Sequence, residues 1–223
     1  MVAVVPQPIS PSPVASSVVL SGISWETYQA LVRELESQPS KRLTYDNGTL
    51  EIFMPLPPHE SYSAWSNRFI QIVTEELEVE IRSLGSSTWT RQDLAKGIEA
   101  DECYYLQNEQ LIRGKLSIDL ATDPPPDLAI EIDITSLSIP RLPIYQALAV
   151  PEIWRFDGEK VMFLALNEGE YQEIDRSIAL PIVTPSVLQN WLMQATTMGE
   201  TSWAKAIRRW VQDTVQMDNF QGL

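Results

Sequence analysis

The sequence predicts one mixed α/β or α+β domain, and three observations support this fold class. The 223 residues are enough to bury a substantial core. Hydrophobic residues make up 44% of the chain and charged residues 21%, a composition typical of globular proteins. Apolar stripes at helical spacing alternate with short β-type runs and show no internal repeat. Helices and strands are therefore expected to pack together in one domain.

The beginning of the chain is rich in Pro and Ser. Residues 1–20 are therefore predicted to be a disordered or loosely attached tail, and residues 21–220 a single domain. An amphipathic helix capped by Ser24 comes first. A hairpin follows around the Asn47-Gly48 dipeptide, which suits a tight turn.

The middle and the end of the chain predict a long helix, a β-rich stretch and two closing helices. The long helix is expected over residues 59–84, with Gly85 as its terminator. The first closing helix has Thr184 as its cap and Pro185 at its first position. The predicted strands are Ser87–Leu94, Cys103–Leu106, Leu128–Ile134, Glu152–Phe156, Val161–Leu166 and Tyr171–Ile174.

The cellular compartment is predicted from what the sequence contains and lacks. Cys103 is the only cysteine, so an internal disulfide is excluded and a reducing compartment fits best. No apolar run approaches the roughly 20 residues that span a bilayer, and the first residues lack the basic start of a signal peptide. We expect a cytoplasmic protein without a membrane partner. Cys103 and Trp154 are interpreted as core residues.

The net charge of −14, from 16 basic and 30 acidic residues, argues against strong binding of nucleic acid. Proteins that bind DNA use Lys and Arg to neutralise phosphates. A DNA-binding chain this acidic needs a local basic strip, bound divalent cations, or weak and transient contact. The compact basic cluster Lys205, Arg208 and Arg209 could contact phosphate, but a solvated helix face is the favoured interpretation.

The segment DLAIEIDIT holds the most informative pattern. Side chains alternate along a strand, so one face carries apolar residues, namely Leu128, Ile130, Ile132 and Ile134. The other face carries Asp127, Ala129, Glu131 and Asp133. Carboxylates on one face repel one another, and a hard divalent ion such as Mg²⁺ (or Mn²⁺) would relieve that repulsion. The alternative is a solvated edge of an amphipathic strand.

A second acidic element, GIEADECYYL, places Asp101 and Glu102 just before a short aromatic strand. An acid at the end of this strand, beside Glu131 on a neighbouring strand, would complete a two-carboxylate metal site. The alternative is a turn acid ahead of a strand, and for Glu102 this alternative is preferred.

Four segments together resemble a known family: GTLEIFMPLPPHE, GIEADECYYL, PPPDLAIEIDIT and RLPIYQALAVPEIWRFDG. They are similar to a widespread bacterial family of restriction-endonuclease-like proteins called Uma-two, of the PD-(D/E)XK superfamily, over roughly residues 22–200. The resemblance implies the restriction-endonuclease-like fold, a central mixed sheet flanked by helices, here with an N-terminal helix plus hairpin and two C-terminal helices. It also implies cutting of DNA with Mg²⁺.

The resemblance further implies roles for single residues. Asp101 takes the place of the family's first acid, and Glu131 that of the acid in the E-x-K element. Asp133 stands where the wider superfamily has the lysine of that element. Arg141 stands where the family commonly has a lysine on the following helix. His59 matches the histidine after the proline-rich turn, with substrate contact and a plain polar residue at a helix start as its two interpretations.

Two departures from the family pattern affect the expected chemistry. Asp133 cannot supply the positive charge of a lysine. Arg141 can stabilise developing negative charge, but it stays protonated and cannot act as a base. If the chain is active, we therefore expect Asp101 and Glu131 to hold an ion that activates water, with Arg141 at the phosphate in the transition state.

The resulting hypothesis is a Mg²⁺-dependent DNA endonuclease, acting as a homodimer because two-fold symmetry suits the cutting of two strands. The first alternative is a nuclease-fold protein that has lost catalysis and serves as an interaction module. The absent lysine and the net charge favour this alternative. A hydrolase of a small phosphorylated molecule ranks last, because no motif of its own supports it.

Overall fold

The structure is a computed structural model that describes residues 16–35, 41–134 and 138–221. The strands are β1 (Ser16–Ser21), β2 (Arg42–Asp46), β3 (Thr49–Met54), β4 (Arg82–Ser83), β5 (Thr88–Arg91), β6 (Lys96–Glu99), β7 (Glu102–Tyr105), β8 (Leu128–Ile132), β9 (Glu152–Phe156), β10 (Val161–Asn167) and β11 (Glu170–Ile174). The helices are α1 (Trp25–Leu35), α2 (Pro57–Glu76), α3 (Glu109–Ile112), α4 (Leu142–Ala147), α5 (Pro185–Ala195) and α6 (Glu200–Gln221), with a short 3₁₀ turn at Gln92–Leu94.

These strands form two sheets, and the predicted mixed α+β class is confirmed. The five-stranded sheet has the order β1-β3-β2-β6-β5 and is antiparallel throughout. The six-stranded sheet has the order β11-β10-β9-β8-β7-β4. It is mixed, because β8 and β9 run parallel while the other neighbours are antiparallel. Helix α4 lies in the crossover between the two parallel strands, as parallel neighbours require.

Both faces of the six-stranded sheet are buried. On one face, Ile130 and Trp154 join a hydrophobic core with residues of α2, α5 and α6. On the other face, Cys103, Ala129 and Tyr145 join a second core that also includes residues of β5 and β6. Cys103 and Trp154 are therefore core residues, as predicted. The second core joins the two sheets, so the side chains on that face of β8 lie between packed layers.

Local signals in the sequence determine several turns and helix ends. Asn47 and Gly48 both have positive φ, 47° and 87°, as expected for a two-residue hairpin turn. The Ser24 hydroxyl accepts from the backbone N–H of Thr27 at the start of α1. The Thr184 hydroxyl accepts from a backbone N–H in the first turn of α5. These predictions are confirmed.

The predicted tail and the predicted end of the long helix differ from the structure, and the ends of several predicted strands differ by one to three residues. Residues 16–20, which the composition predicts as tail, form most of strand β1, which pairs with β3; residues 1–15 lie outside the described residues. The long helix ends at Glu76 rather than at residue 84. The backbone of Glu78 turns to a left-handed φ of 55°, and residues 82–83 pair with β7. Pairing with a distant strand prevails here over local helical spacing.

Helix α6 carries the predicted basic cluster on a surface that packs beside α2. Arg208 forms ion pairs with Glu75 and Glu76 of α2, each at 2.9 Å. This pairing supports the interpretation of the cluster as a polar helix face. Across the parts of the chain that the structure describes, no helix has both the length and the apolarity needed to cross a bilayer.

We expect Glu152→Gln to lower the free energy of unfolding by about 2 kcal/mol. The buried Glu152 carboxylate accepts from the backbone N–H groups of Ile178 and Ala179 and from the Trp154 indole N–H. An amide side chain has only one acceptor oxygen, so it would leave one donor facing an NH₂ group. Urea denaturation would measure the change.

Glu173→Gln is the matched control for this measurement. Glu173 is solvent-exposed and pairs with Lys160 across the sheet surface at 3.1 Å. Exposed pairs contribute little, so its effect should stay within about 0.5 kcal/mol. Equal effects of the two substitutions would show that the Glu152 carboxylate does not anchor the segment of Ile178 and Ala179.

Candidate functional site

Two carboxylates lie at one end of the six-stranded sheet, one just before β7 and the other on β8. Strands β7 and β8 are antiparallel, with Glu102 opposite Ile130. Asp101 directly precedes β7, so continuing this register would bring it opposite Glu131, and the backbone N–H of Ile132 donates to Asp101 Oδ2 at 2.8 Å. Residues directly opposed in an antiparallel pair have Cβ atoms about 5 Å apart. The two acids are therefore neighbours in space, although they are far apart in the chain.

Glu131 is buried, and two side chains from α4 and its N-terminus bind its carboxylate. Arg141, the residue before the helix, donates from Nη1 to Glu131 Oε2 at 2.5 Å. The Tyr145 hydroxyl donates to Glu131 Oε1. Residues four apart lie on one face of a helix, so the spacing of Arg141 and Tyr145 brings both to the same carboxylate. Arg141 Nη1 also contacts the carbonyl oxygen of Glu99 at 3.4 Å.

A buried carboxylate of the other sheet fixes the chain just before α4. Glu51 on β3 accepts from the backbone N–H groups of Ser138 and Ile139, both at 3.0 Å. Hydrogen bonds to an ionised acceptor are stronger than neutral ones, so this contact holds the segment firmly. The five-stranded sheet thereby helps to set the position from which Arg141 reaches Glu131.

Asp101 has partners of its own on the side of α2. His59 Nε2 lies 3.2 Å from Asp101 Oδ2, and both side chains are almost fully buried. His59 follows the two prolines that start α2, so the first turn of this helix delivers the imidazole to the carboxylate. Arg42 on β2 approaches the other oxygen, with Nε at 3.9 Å from Asp101 Oδ1.

Further buried charges surround this pair. Arg42 donates to Glu99 Oε1 at 3.2 Å and lies 3.7 Å from Glu60 Oε1. The Ser63 hydroxyl donates to Glu102 Oε1 at 3.0 Å. We call the buried side chains His59, Glu99, Asp101, Glu102, Glu131, Arg42, Arg141 and Tyr145 the acid cluster. It holds four carboxylates and two guanidinium groups.

Sequence reasoning missed several members of the acid cluster. The alternation of strand side chains could have paired Glu99 with Asp101, because they are two positions apart and Glu99 ends a strand. Nothing local pointed to Arg42, which reaches the cluster from a distant hairpin. The interpretation of Glu102 as a turn acid is incomplete, because Glu102 is buried and bonded to Ser63 of α2.

Burial and mutual repulsion shift the acids of the cluster in different directions. Burial raises the pKa of Glu131 to about 7; the Asp101 charge adds to this rise, and Arg141 opposes it. Burial likewise raises the pKa of Glu102 to about 7. Burial alone would also raise the pKa of Asp101, but the His59 hydrogen bond and the charges of Arg141 and His59 outweigh it, so that pKa is lowered. Opposed shifts in neighbouring acids are typical of functional sites.

Several buried polar atoms of the cluster lack a hydrogen bond within the described residues. They are His59 Nδ1, Asp101 Oδ1, Glu102 Oε2 and Arg141 Nε. Buried polar atoms are normally satisfied, and an exception points to water, an ion or a functional role. Among the described residues, unsatisfied atoms also occur outside the cluster, namely Tyr28 Oη, Gln29 Nε2, Ser66 Oγ and Trp89 Nε1.

Asp101 and Glu131 are the residues of the acid cluster that could hold a divalent cation. Mg²⁺ is commonly held by one or two carboxylates, with water and substrate phosphate completing its shell, so Asp101 and Glu131 suffice as protein ligands. Asp101 Oδ1 has no hydrogen bond among the described residues, whereas both oxygens of Glu131 are bound by Arg141 and Tyr145. Over the described ranges, no group of three or more His, Cys, Asp or Glu side chains is placed so that it could hold a metal ion.

The other acids of the β8 segment diverge from Glu131. Asp127 accepts from the backbone N–H groups of Leu106 and Asn108 and from the Asn108 amide, so it anchors the chain after β7. Asp133 forms an ion pair with Arg155 of β9. The structure thus brings His59, Asp101, Glu131 and Arg141 together and gives Asp133 a different partner.

We expect Glu102→Gln to remove a pH-dependent loss of stability. Because its pKa is raised to about 7 from an ordinary 4.5, folded Glu102 keeps a proton that the unfolded chain has released between these values. The free energy of unfolding of the wild type should therefore fall as pH rises through this window, by about 3 kcal/mol from this group. The amide of the variant cannot titrate, so the variant should lack the contribution of Glu102 and keep that of Glu131, whose pKa is raised to a similar value.

Urea denaturation between about pH 4.5 and pH 8 measures the difference between the two proteins. Glu170→Gln, on the exposed strand β11, serves as the control and should leave the pH dependence of the wild type unchanged. A Glu102→Gln curve parallel to that of the wild type would contradict the raised pKa.

Comparisons with known proteins identify the family of this chain. A chain in a solved structure from Anabaena variabilis, described as a "putative nuclease belonging to DUF820", is 15% identical to this one, covers 67% of this chain and 90% of its own, and has a TM-score of 0.44. None of the curated proteins matches this chain. The family model Uma2, described as "Putative restriction endonuclease", matches residues 25–196. This match covers most of the chain and includes the whole acid cluster, so the protein belongs to the Uma2 family.

Proposed function

We propose that this protein is a DNA endonuclease that hydrolyses phosphodiester bonds with Mg²⁺ or Mn²⁺. The observation that carries the proposal is the acid pair: Asp101 accepts a hydrogen bond from the backbone of Ile132, next to Glu131, in a buried cluster with unsatisfied polar atoms. Family membership supports nuclease activity as the class of function. Asp101 and Glu131 are proposed as the ligands of the ion.

When bound, such an ion lowers the pKa of water and neutralises charge on a phosphate. His59 positions Asp101, because its Nε2 contacts the carboxylate oxygen that also accepts the Ile132 N–H. Tyr145 holds Glu131 from α4. Arg141 neutralises Glu131 and, as a permanent cation, is proposed to face the negative charge of the scissile phosphate. The guanidinium group of Arg141 would therefore both neutralise Glu131 and face the phosphate.

One rival is favoured by a specific observation. Both Glu131 oxygens are bound by Arg141 and Tyr145, so a cation of the chain itself stands at the carboxylate that a metal would use. A protein that has lost catalysis and keeps the fold as an interaction module would need no metal ion at this carboxylate. The net charge of −14 points the same way. Metal binding separates the two functions.

We expect titration calorimetry to detect Mn²⁺ binding to the wild type and a loss of about tenfold or more in affinity in Asp101→Asn and in Glu131→Gln. Nicking of supercoiled plasmid by the purified proteins should fall in the same two variants. Each substitution removes one negative charge but keeps the shape of the side chain. Asp213→Asn, on the exposed face of α6, is the matched control for charge.

The outcomes of this experiment are distinct. A folded wild type that binds no Mn²⁺ at millimolar concentration favours the interaction module. Binding and nicking that are unchanged in Asp101→Asn and Glu131→Gln would assign the activity to another site.

We further propose a homodimer in the cytoplasm. Strand β1 lies at the edge of the five-stranded sheet, and its uncharged residues Val18, Val19 and Leu20 are exposed. An apolar edge strand without charges is suited to pairing with a second strand, and two copies of one edge can pair antiparallel about a two-fold axis. The single cysteine fits a reducing compartment.

Val19→Lys tests the dimer, because a charge on an edge strand opposes pairing between copies. Sedimentation velocity should show a dimer for the wild type and a monomer for the variant. Met217→Lys is the control, since Met217 is exposed on α6, remote from β1 in the chain. A monomeric wild type would contradict the proposal, as would a Val19→Lys protein that stays dimeric.

A further inference from the structure

A cavity of about 770 Å³ opens beside Glu131. Its lining includes Glu131 and Asp133 of the β8 segment, Arg141 before α4, and Arg155 and Asp157 at the end of β9. Asp101 does not line it, so Glu131 is the acid of the pair that a molecule in this cavity meets. A phosphate that reaches the acid pair from here would therefore pass the charged groups of this wall.

Arg141 stays beside Glu131, where it is proposed to face the scissile phosphate, and it is poorly placed to move out to another phosphate in this cavity. Its side chain is only 8% exposed, and its Nη1 contacts both Glu131 and the carbonyl oxygen of Glu99. A move towards the cavity would leave Glu131 buried beside Asp101 without its cation. Removing one partner of a buried ion pair is strongly unfavourable. Arg141 is therefore held as the counter-ion of Glu131.

Arg155 is more accessible and lies on the same face of the sheet. Strands β8 and β9 are parallel, and Arg155 is the register partner of Glu131. Neighbouring residues of a parallel pair project to the same side, so the Arg155 side chain extends along the wall that carries Glu131. It is 34% exposed and lines the cavity.

Asp133 fixes the direction of this guanidinium. Both Nε, at 3.0 Å, and Nη2 of Arg155 donate to Asp133 Oδ2. A guanidinium carries five N–H donors in a rigid fork. Two of them serve Asp133, and three remain without a partner among the described residues. A planar fork held at one edge presents its other edge to a phosphate.

We propose that Arg155 contacts a backbone phosphate of the substrate other than the scissile one, and that Asp133 is its positioning residue. This inference rests on the proposed function and assigns its substrate contact. Arg155 donates hydrogen bonds to the non-bridging phosphate oxygens, and no bond of the chain is made or broken. Asp133 stands at the position of the superfamily lysine. By binding Arg155 of the neighbouring strand β9, it holds the Arg155 cation beside that position.

The test is the salt dependence of DNA binding. Fluorescence anisotropy with a labelled duplex, in Ca²⁺ and increasing NaCl, gives the slope of log affinity against log salt. Each phosphate that a cationic side chain neutralises contributes about 0.9 to the magnitude of this slope. We expect Arg155→Ala to reduce the magnitude by about that amount and Arg155→Lys to retain it. A role in folding alone would not change this slope.

Three further variants make the result specific. Arg209→Ala, on the exposed face of α6, removes the same charge and should keep the wild-type slope. Asp133→Ala with Arg155→Ala removes the pair without leaving a lone carboxylate, and it should match Arg155→Ala. Arg33→Ala probes a second cavity of about 550 Å³, lined by Arg33 and Arg82, and should keep the slope.

Each outcome has one meaning. A wild-type slope in Arg155→Ala and in the double variant overturns the inference while the nuclease proposal stands. A reduced slope in Arg33→Ala with none in Arg155→Ala moves the phosphate contact to the second cavity, which also overturns it. A wild type that binds no duplex and cuts none overturns the proposed function and this inference together.

Discussion

The balance of charge around Glu131 is the constraint on which the rest of the site depends. Four carboxylates of the acid cluster are buried with two guanidinium groups, so negative charge is in excess in a place where water cannot screen it. Isolated buried charges are prohibitively costly, and each must be paired, hydrogen-bonded or protonated. The Arg141 and Tyr145 contacts to Glu131 and the His59 contact to Asp101 are the solutions that this fold provides.

Residues of both sheets contribute to this balance of charge. The antiparallel pairing of β7 and β8 brings Asp101 close to Glu131. The five-stranded sheet supplies Arg42, which approaches Asp101, and Glu51, which holds the chain before α4. Arg141, just before α4, and Tyr145, within it, bind Glu131. The site therefore lies at a junction of elements rather than on one loop. Because a core packs on each face of the six-stranded sheet, small shifts in either core would change the positions of the carboxylates.

Most Lys and Arg side chains of this acidic protein form ion pairs with its own carboxylates. Of the 16 Lys and Arg residues, at least ten form ion pairs in the described part of the chain, namely Arg42, Arg68, Arg91, Lys96, Arg113, Lys115, Arg141, Arg155, Lys160 and Arg208. Few cations are left to form a broad phosphate-binding strip. Under the proposed function, substrate contact would depend on a small number of well-placed groups, and a guanidinium held by a single carboxylate meets that need.

By itself, the sequence determined the fold class, the hairpin turn, the caps of α1 and α5, and the alternation of β8 that separates Glu131 from the core residues beside it. These features follow from local stereochemistry and from side-chain period, which neighbours along the chain already contain. The resemblance to the family also named the four residues that the structure brings together. Tertiary structure decided what no local pattern holds: that α2 ends at Glu76, that Arg42 and Glu99 join the acids, and that Asp133 pairs with Arg155. Each of these depends on which distant strand lies alongside, and strand pairing is a contact between residues remote in the chain.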